Sequence, residues 1–131
     1  MRKLMAAELS MTPDQIARLL AGYRYHFTNE RELQDGIERV LRDLRQEYLG
    51  WDYQREYQLS AHDRPDFWLP ESSIAIEVKV GGTTSEVLRQ LHRYAQHAHV
   101  AGLVLVSSRA RHIIPEQING VPAAKLQLWG L

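Results

Sequence analysis

The chain has 131 residues, of which 44% are hydrophobic, values typical of a globular protein and unlike those of disordered or fibrous classes. Sixteen basic and sixteen acidic residues balance to zero, so net charge neither indicates nor excludes a nucleic-acid partner. The absence of cysteine excludes disulfides, zinc–thiolate sites and thiol nucleophiles. No apolar run approaches the roughly 20 residues of a membrane span, and the opening residues lack the apolar stretch of a secretory signal. We therefore expect one cytoplasmic domain over residues 1–131, with no membrane association.

Three segments carry helix signals. Thr12 with Gln15, and Thr83 with Glu86, are capping-box pairs, which mark helix starts. Between them, apolar residues recur at the spacing of one helical face. After a loose arm of about ten residues, the predicted helices cover residues 11–22, 29–48 and 83–99.

Strand patterns occupy five further segments. The strongest alternates apolar and other residues before a Gly-Gly turn, and another is a continuous apolar run typical of a buried central strand. The segments are residues 53–59, 66–69, 73–80, 100–107 and 121–129, the last predicted as an edge strand. The order of elements predicts an α/β fold, a mixed sheet flanked by helices.

The strand over residues 73–80 carries the first candidate site residues. With a period of two, its isoleucines and valines face one side, whereas Glu77 and Lys79 face the other. An ion pair that faces water would explain this pattern equally well on its own. However, Asp66 lies on the short strand just upstream, and the rest of this stretch is strongly apolar. We therefore expect Asp66, Glu77 and Lys79 to form one site.

These three side chains suit phosphodiester hydrolysis. The reaction needs charge neutralisation at the phosphate and an activated water, and a divalent cation supplies both. Carboxylates from two adjacent strands are hard oxygen ligands, suited to magnesium. Lys79 would orient or deprotonate the attacking water, or stabilise developing negative charge.

A helical carboxylate extends the site. The second predicted helix offers Glu30, Glu32, Asp35 and Glu38 near the sheet. At about 100° per residue, Glu30 lies at the edge of the apolar stripe and Glu32 on the opposite face. Glu30 is therefore the candidate metal ligand, although the helix dipole alone also favours a glutamate in the first turn. Glu32 is expected to cap the helix or to face solvent.

These residues resemble the PD-(D/E)XK nuclease motif. Arg64-Pro65-Asp66-Phe67 is followed, ten residues after Asp66, by Glu77-Val78-Lys79 in an apolar strand that leads to a turn, a helix and another strand. Glu30-Arg31-Glu32-Leu33 resembles the first-helix motif of archaeal Holliday junction resolvases. The resemblance covers roughly residues 28–107.

The resemblance implies a restriction-endonuclease-like core with a mixed sheet of four or five strands. It also implies that Asp66 and Glu77 bind Mg²⁺ or Mn²⁺, with Glu30 and the Val78 carbonyl as further ligands. Lys79 would activate or position the attacking water. On this basis residues 1–27 are an arm and a short helix, 28–107 the catalytic core, and 108–131 a loop and edge strand.

Polar side chains on the third predicted helix complete the candidates. The resemblance implies an assisting role for Gln90, although a solvated glutamine is an equal alternative. Arg64, Arg89 and Arg93 are candidate phosphate-binding cations, each of which is by itself more often a surface cation. Tyr94 is expected to pack rather than to act. The aromatic residues from Tyr23 to Phe27, interleaved with Arg24, could stack on bases, although a packed cover for the core is at least an equal alternative. Side chains expected on the surface or in loops are His92, His97, His99, Arg109, Arg111 and His112.

The leading hypothesis is a metal-dependent DNA endonuclease that uses metal-activated water and no organic cofactor. One alternative is a resolvase selective for branched DNA. Another is a nucleic-acid-binding module without catalysis on the same fold. Because a chain of this length has little surface for a duplex, we expect a homodimer.

Overall fold

The computed structural model describes residues 10–129, so nearly all of the predicted N-terminal arm lies outside it. The chain forms a mixed sheet of six strands, with helices on both faces. The α/β prediction is confirmed, but the predicted strand number of four or five is wrong. The elements are α1 (Pro13–Ala21), α2 (Glu30–Glu47), β1 (Gln54–Arg55), β2 (Phe67–Leu69), β3 (Ile74–Lys79), α3 (Thr84–Ala95), β4 (Gly102–Ser107), β5 (Gln117–Ile118) and β6 (Val121–Gln127).

The strands lie in the order β1-β2-β3-β4-β6-β5. β1, β2 and β3 are antiparallel neighbours, and β5 is antiparallel to β6. β3, β4 and β6 run parallel, so the ends of these three strands meet at one edge of the sheet. We call this the carboxyl edge. It is where open α/β sheets commonly bind ligands.

Local sequence explains where the helices begin. The Thr12 hydroxyl accepts from the Gln15 N–H at 3.2 Å while the Gln15 side chain accepts from the Thr12 N–H at 2.9 Å, which completes the predicted capping box of α1. Asn29 caps α2. α3 begins at the predicted place but ends at Ala95 rather than near residue 99, since the chain turns there towards β4.

Both faces of the central strand β3 are covered. Its isoleucines and Val78 pack with α1 and α2 in one core cluster, whereas Ala75 packs with α3 in the other. Glu77 lies on the α3 side and is only 3% exposed. The alternative of a carboxylate facing water is therefore wrong, because α3 covers the face that alternation left polar.

Two strand predictions need correction. The first predicted strand shortens to β1, because Glu56 adopts a left-handed φ of 55° and the chain leaves the sheet. The last predicted strand, β6, is not the edge strand, since β5 pairs with its first two residues. Asn119-Gly120, both with positive φ, turns the chain between β5 and β6. An Asn-Gly pair is a strong hairpin signal, so this turn was detectable in the sequence.

None of the helices within residues 10–129 has both the length and the apolarity that crossing a bilayer requires.

Candidate active site

Asp66 and Glu77 meet across the antiparallel pair of β2 and β3. Phe67 lies opposite Ile76 in the ladder, which brings Asp66, directly before β2, beside Glu77. The Asp66 N–H donates to Oε1 of Glu77 at 3.3 Å. The two carboxylates that the sequence placed in one site therefore lie together.

Asp66 is held from the sheet and from α2. Its Oδ2 accepts from the Val78 N–H at 2.7 Å, and its Oδ1 accepts from the Gln34 side-chain amide at 3.0 Å. These two bonds come from different elements and define the orientation of the carboxylate. Val78, a predicted ligand through its carbonyl, thus contacts Asp66 through its N–H.

Glu77 is held from α3 and from its own strand. The Tyr94 hydroxyl donates to Oε1 at 3.1 Å. The Lys79 ammonium lies 3.3 Å from Oε2, on the same face of β3, as strand alternation predicts. Glu77 therefore has a buried side facing Tyr94 and a side facing Lys79, whose side chain is 23% exposed.

Burial and neighbouring carboxylates raise the pKa of both Asp66 and Glu77. Burial, then the charge of Asp66, raises the pKa of Glu77 to about 8, although Lys79 opposes the shift. Burial also raises the pKa of Asp66 to about 6, with a further contribution from the charge of Glu30. Perturbed carboxylates of this kind are concentrated at functional sites. A cation placed between them would relieve the repulsion.

Glu30 lies at the rim of this carboxylate pair. Its Oε1 accepts from the Val80 N–H at 3.4 Å, and its charge acts on Asp66. Glu32 instead accepts from both the N–H and the hydroxyl of Thr28, at 2.6 and 2.7 Å. The structure thus brings Glu30 to Asp66 and leaves Glu32 bonded to Thr28.

The donor set fits a hard divalent cation. Within residues 10–129, no three His, Cys, Asp or Glu side chains are arranged as a ready-made metal cluster. Magnesium requires fewer, since it commonly binds through one or two carboxylates and keeps several waters. Asp66 and Glu77 supply two such carboxylates. The charge of Asp66 raises the pKa of Glu77, so the two groups repel each other when no cation lies between them. The residues therefore suit the ion chemically.

Gln90 and Lys79 border the same space. With Arg89 and Arg93 they line a cavity of about 260 Å³ between the β3 end and α3. Gln90 is half-buried and lies one helical turn before Tyr94, whose hydroxyl donates to Glu77. The structure thus places Gln90 beside the candidate site rather than on the solvated face of α3.

The three candidate arginines are in different places. Arg89 is exposed and borders the cavity. Arg93 borders it too, and its Nε donates to Asp63 at 3.0 Å, where His97 also binds at 2.9 Å. Arg64 is exposed and does not line this cavity. Arg89 and Arg93 are therefore brought to the site, and Arg64 is not.

The loop after β4 holds the turn that follows Lys79. Nε of Arg109 donates to the Val80 carbonyl at 2.7 Å, and the Arg111 guanidinium donates to the Gly82 carbonyl at 3.0 and 3.2 Å. The His112 ring also contacts the Gly82 carbonyl, at 2.9 Å. This basic cluster is thus not merely a solvated loop, since it fixes the Gly-Gly turn beside the site.

The sequence did not identify two side chains that hold the carboxylates. Gln34 binds Asp66, and Tyr94, expected only to pack, donates to Glu77. Each follows a candidate residue by four positions, Gln34 after Glu30 and Tyr94 after Gln90. Residues four apart share a helical face, so this spacing was the available signal.

Comparison of the chain with family models, curated proteins and solved structures found no match.

Proposed function

We propose that this protein is a metal-dependent endonuclease of the PD-(D/E)XK type, which hydrolyses phosphodiester bonds in DNA. The observation that carries the proposal is the pairing of half-buried Asp66 with buried Glu77, with Lys79 3.3 Å from Glu77 at a strand end. The β3-α3-β4 unit, with antiparallel β2 beside it, is compatible with a restriction-endonuclease-like core. A cytoplasmic location and a homodimer remain part of this proposal.

In this proposal Asp66 and Glu77 would hold Mg²⁺ or Mn²⁺, supported by Glu30 and the Val78 carbonyl. When bound, such an ion supplies charge neutralisation at the phosphate and makes water more acidic. Val78 and Gln34 keep Asp66 oriented through its two bonded oxygens. Tyr94 does the same for Glu77, and Gln90 assists from the cavity that it lines with Lys79.

Lys79 is the group assigned to the attacking water. Its ammonium touches Glu77 on one side and borders open space on the other. From there it can hold a water by hydrogen bonding and stabilise charge that develops on a phosphate oxygen. Arg89 and Arg93 border the same space and suit the phosphates that flank the scissile one, whereas Arg64 lies apart and would contact DNA only at the periphery.

The proposal is tested by nicking of closed circular DNA in the presence of Mg²⁺ or Mn²⁺. We expect cleavage by the wild type and its loss in Glu77→Gln and Lys79→Ala. Glu47→Gln, an exposed glutamate at the end of α2, is the matched control and should cleave as the wild type does. Cleavage at the same rate in all variants would exclude this site, and DNA binding without any cleavage would indicate a binding module. A strong preference for four-way junctions over linear duplex would indicate a resolvase.

A further inference from the structure

An exposed aromatic patch lies on the side of the molecule formed by the segment before α2 and the end of β6. It consists of Tyr23, Arg24, His26 and Trp129, which border a cavity of about 370 Å³. Trp129 is 80% exposed and Tyr23 41%, which makes them two of the four exposed large hydrophobic residues within residues 10–129. Large exposed aromatic side chains that cluster mark an interaction surface more often than isolated ones do.

The aromatic residues of this region divide into two roles. Tyr25 and Phe27 pack against the core between the sheet and α2, and the Tyr25 hydroxyl donates to the Leu20 carbonyl at 2.7 Å. They form the packed cover that the sequence indicated as one alternative. Tyr23 and Trp129 are not part of that core. Packing therefore explains Tyr25 and Phe27 but leaves the patch unexplained.

The patch and the candidate active site share the carboxyl edge of the sheet. Lys79 pairs with Ser107 and Ser107 with Gln127, so these residues form one row across three strands. The Leu128 N–H continues this pairing by donating to the Ser107 carbonyl at 2.8 Å, and Trp129 follows directly. Two strand spacings separate the backbones of Lys79 and Gln127 by about 10 Å, the rise of roughly three stacked nucleotides.

The chain segment that carries the rest of the patch also connects directly to a residue of the candidate site. Tyr23, Arg24 and His26 belong to the segment that ends at Glu30, whose carboxylate accepts from the Val80 N–H. A strand of nucleic acid that leaves the active site along this edge would therefore reach the patch.

The chemistry of the patch selects its ligand. It offers two exposed aromatic rings, a guanidinium and an imidazole, and the residues described around its cavity include no carboxylate. Aromatic faces interleaved with cations bind the bases and phosphates of single strands, because every base has a face that can stack. A duplex keeps its bases stacked internally and presents mainly phosphates. We propose that the aromatic patch binds the unpaired bases of single-stranded DNA, so that the enzyme acts beside a single-stranded segment; this substrate assignment rests on the proposed function.

The experiment measures binding in EDTA, where cleavage is prevented, from the fluorescence anisotropy of a dye-labelled 15-nucleotide oligothymidine and of a dye-labelled duplex of equal length, so that the readout does not depend on tryptophan. Two of the three tryptophans are buried, so quenching of tryptophan emission reports mainly on Trp129. We expect quenching by the single strand and binding weakened roughly 5- to 100-fold in Trp129→Ala, with partial rescue in Trp129→Phe. Tyr23→Ala should weaken it as well. Leu49→Ala removes an equally conspicuous side chain, 63% exposed but after the end of α2, and should bind as the wild type does.

Several outcomes would overturn the inference. Oligothymidine binding that Trp129→Ala and Tyr23→Ala leave unchanged would exclude the patch, and an equal loss of duplex binding would exclude a preference for single strands. A dimer in light scattering that Trp129→Ala converts to a monomer would identify a second copy of this chain as the occupant. Wild-type binding to the single strand without any nicking of circular DNA would refute the proposed nuclease but leave the patch as a binding surface. Nicking without oligothymidine binding would refute only the patch.

Discussion

The hydroxyl of Tyr94 donates a hydrogen bond to Oε1 of Glu77 at 3.1 Å, in the interior between α3 and the sheet. This contact joins the helix that follows the Gly-Gly turn to the strand that precedes it. Both residues are almost fully buried, so water does not compete with the bond. Tyr94 thereby acts as a positioning residue for the candidate metal ligand.

Removal of the Tyr94 hydroxyl is expected to reduce metal-dependent cleavage. Tyr94→Phe keeps the ring in the core but leaves Oε1 of Glu77 with the longer bond from Asp66. Loss of a hydrogen bond to a metal ligand typically lowers metal affinity or activity about 10- to 100-fold. Titration of Mn²⁺ in the nicking assay should show a higher cation concentration at half-maximal rate. Tyr57→Phe, on a ring stacked against Trp68, is the control, and equal behaviour of both variants would contradict the role of Tyr94.

Glu77 is expected to make the apo protein less stable as pH rises. Its pKa is about 8 in the folded protein against an ordinary 4.5, so between these values the folded state binds more protons than the unfolded state. The free energy of unfolding must then fall with rising pH across this interval. Glu77→Gln removes this titration, and should be more stable than the wild type above pH 8 in EDTA by about 1–4 kcal/mol, with the difference shrinking towards pH 5.

Urea denaturation at a series of pH values tests this directly. Asp66, whose pKa is also raised, contributes a slope of the same sign, so the variant keeps part of the decline. Glu47→Gln should follow the wild-type profile. Parallel profiles for Glu77→Gln and the wild type would show that Glu77 does not carry the pH dependence.

Divalent cations are expected to stabilise the folded protein through the same carboxylates. An ion that binds only the folded state adds about 1.4 kcal/mol to the free energy of unfolding at ten times its dissociation constant. We therefore expect Mn²⁺ and Mg²⁺ to raise the melting temperature of the wild type in thermal scans. The double variant Asp66→Asn, Glu77→Gln should show no such shift. A wild type that is insensitive to 10 mM Mn²⁺ (roughly ten times a millimolar dissociation constant) would argue against a metal site.

Arg89 is expected to contribute to DNA binding through phosphate contact. Arg89 borders the cavity next to Lys79, and its guanidinium makes no hydrogen bond or ion pair with any of the described residues. Arg89→Ala should weaken binding similarly for all sequences and reduce the slope of log affinity against log salt by about one. Fluorescence anisotropy across salt concentrations measures this slope. Arg39→Ala, an exposed arginine on α2, serves as the matched control, and the same slope in both variants would place Arg89 outside the interface.

Local patterns were sufficient for most of the elements. Capping boxes located the starts of α1 and α3, and apolar runs located β3 and β4 within two residues at either end. The patterns were insufficient where structure depends on a single backbone angle or on a distant partner. Glu56 ended β1 through its positive φ, and β5 exists because a two-residue segment pairs with β6.

The candidate site shows the same division. Strand alternation placed Glu77 and Lys79 on one face, and helical angle separated Glu30 from Glu32, because both periodicities are properties of the local backbone. Gln34 and Tyr94 were missed since their roles depend on which helix lies above which strand, a relationship between residues 17 to 32 positions apart.

The sequence by itself determined most of the secondary structure and the faces on which the charged side chains lie, because those follow from the repeat of the backbone. Only the tertiary structure decided that α3 buries Glu77, that Gln34 reaches Asp66, and that the patch around Trp129 shares an edge with Lys79. Burial and long-range contact depend on how elements pack, and it is this packing that raises the pKa of Asp66 and of Glu77.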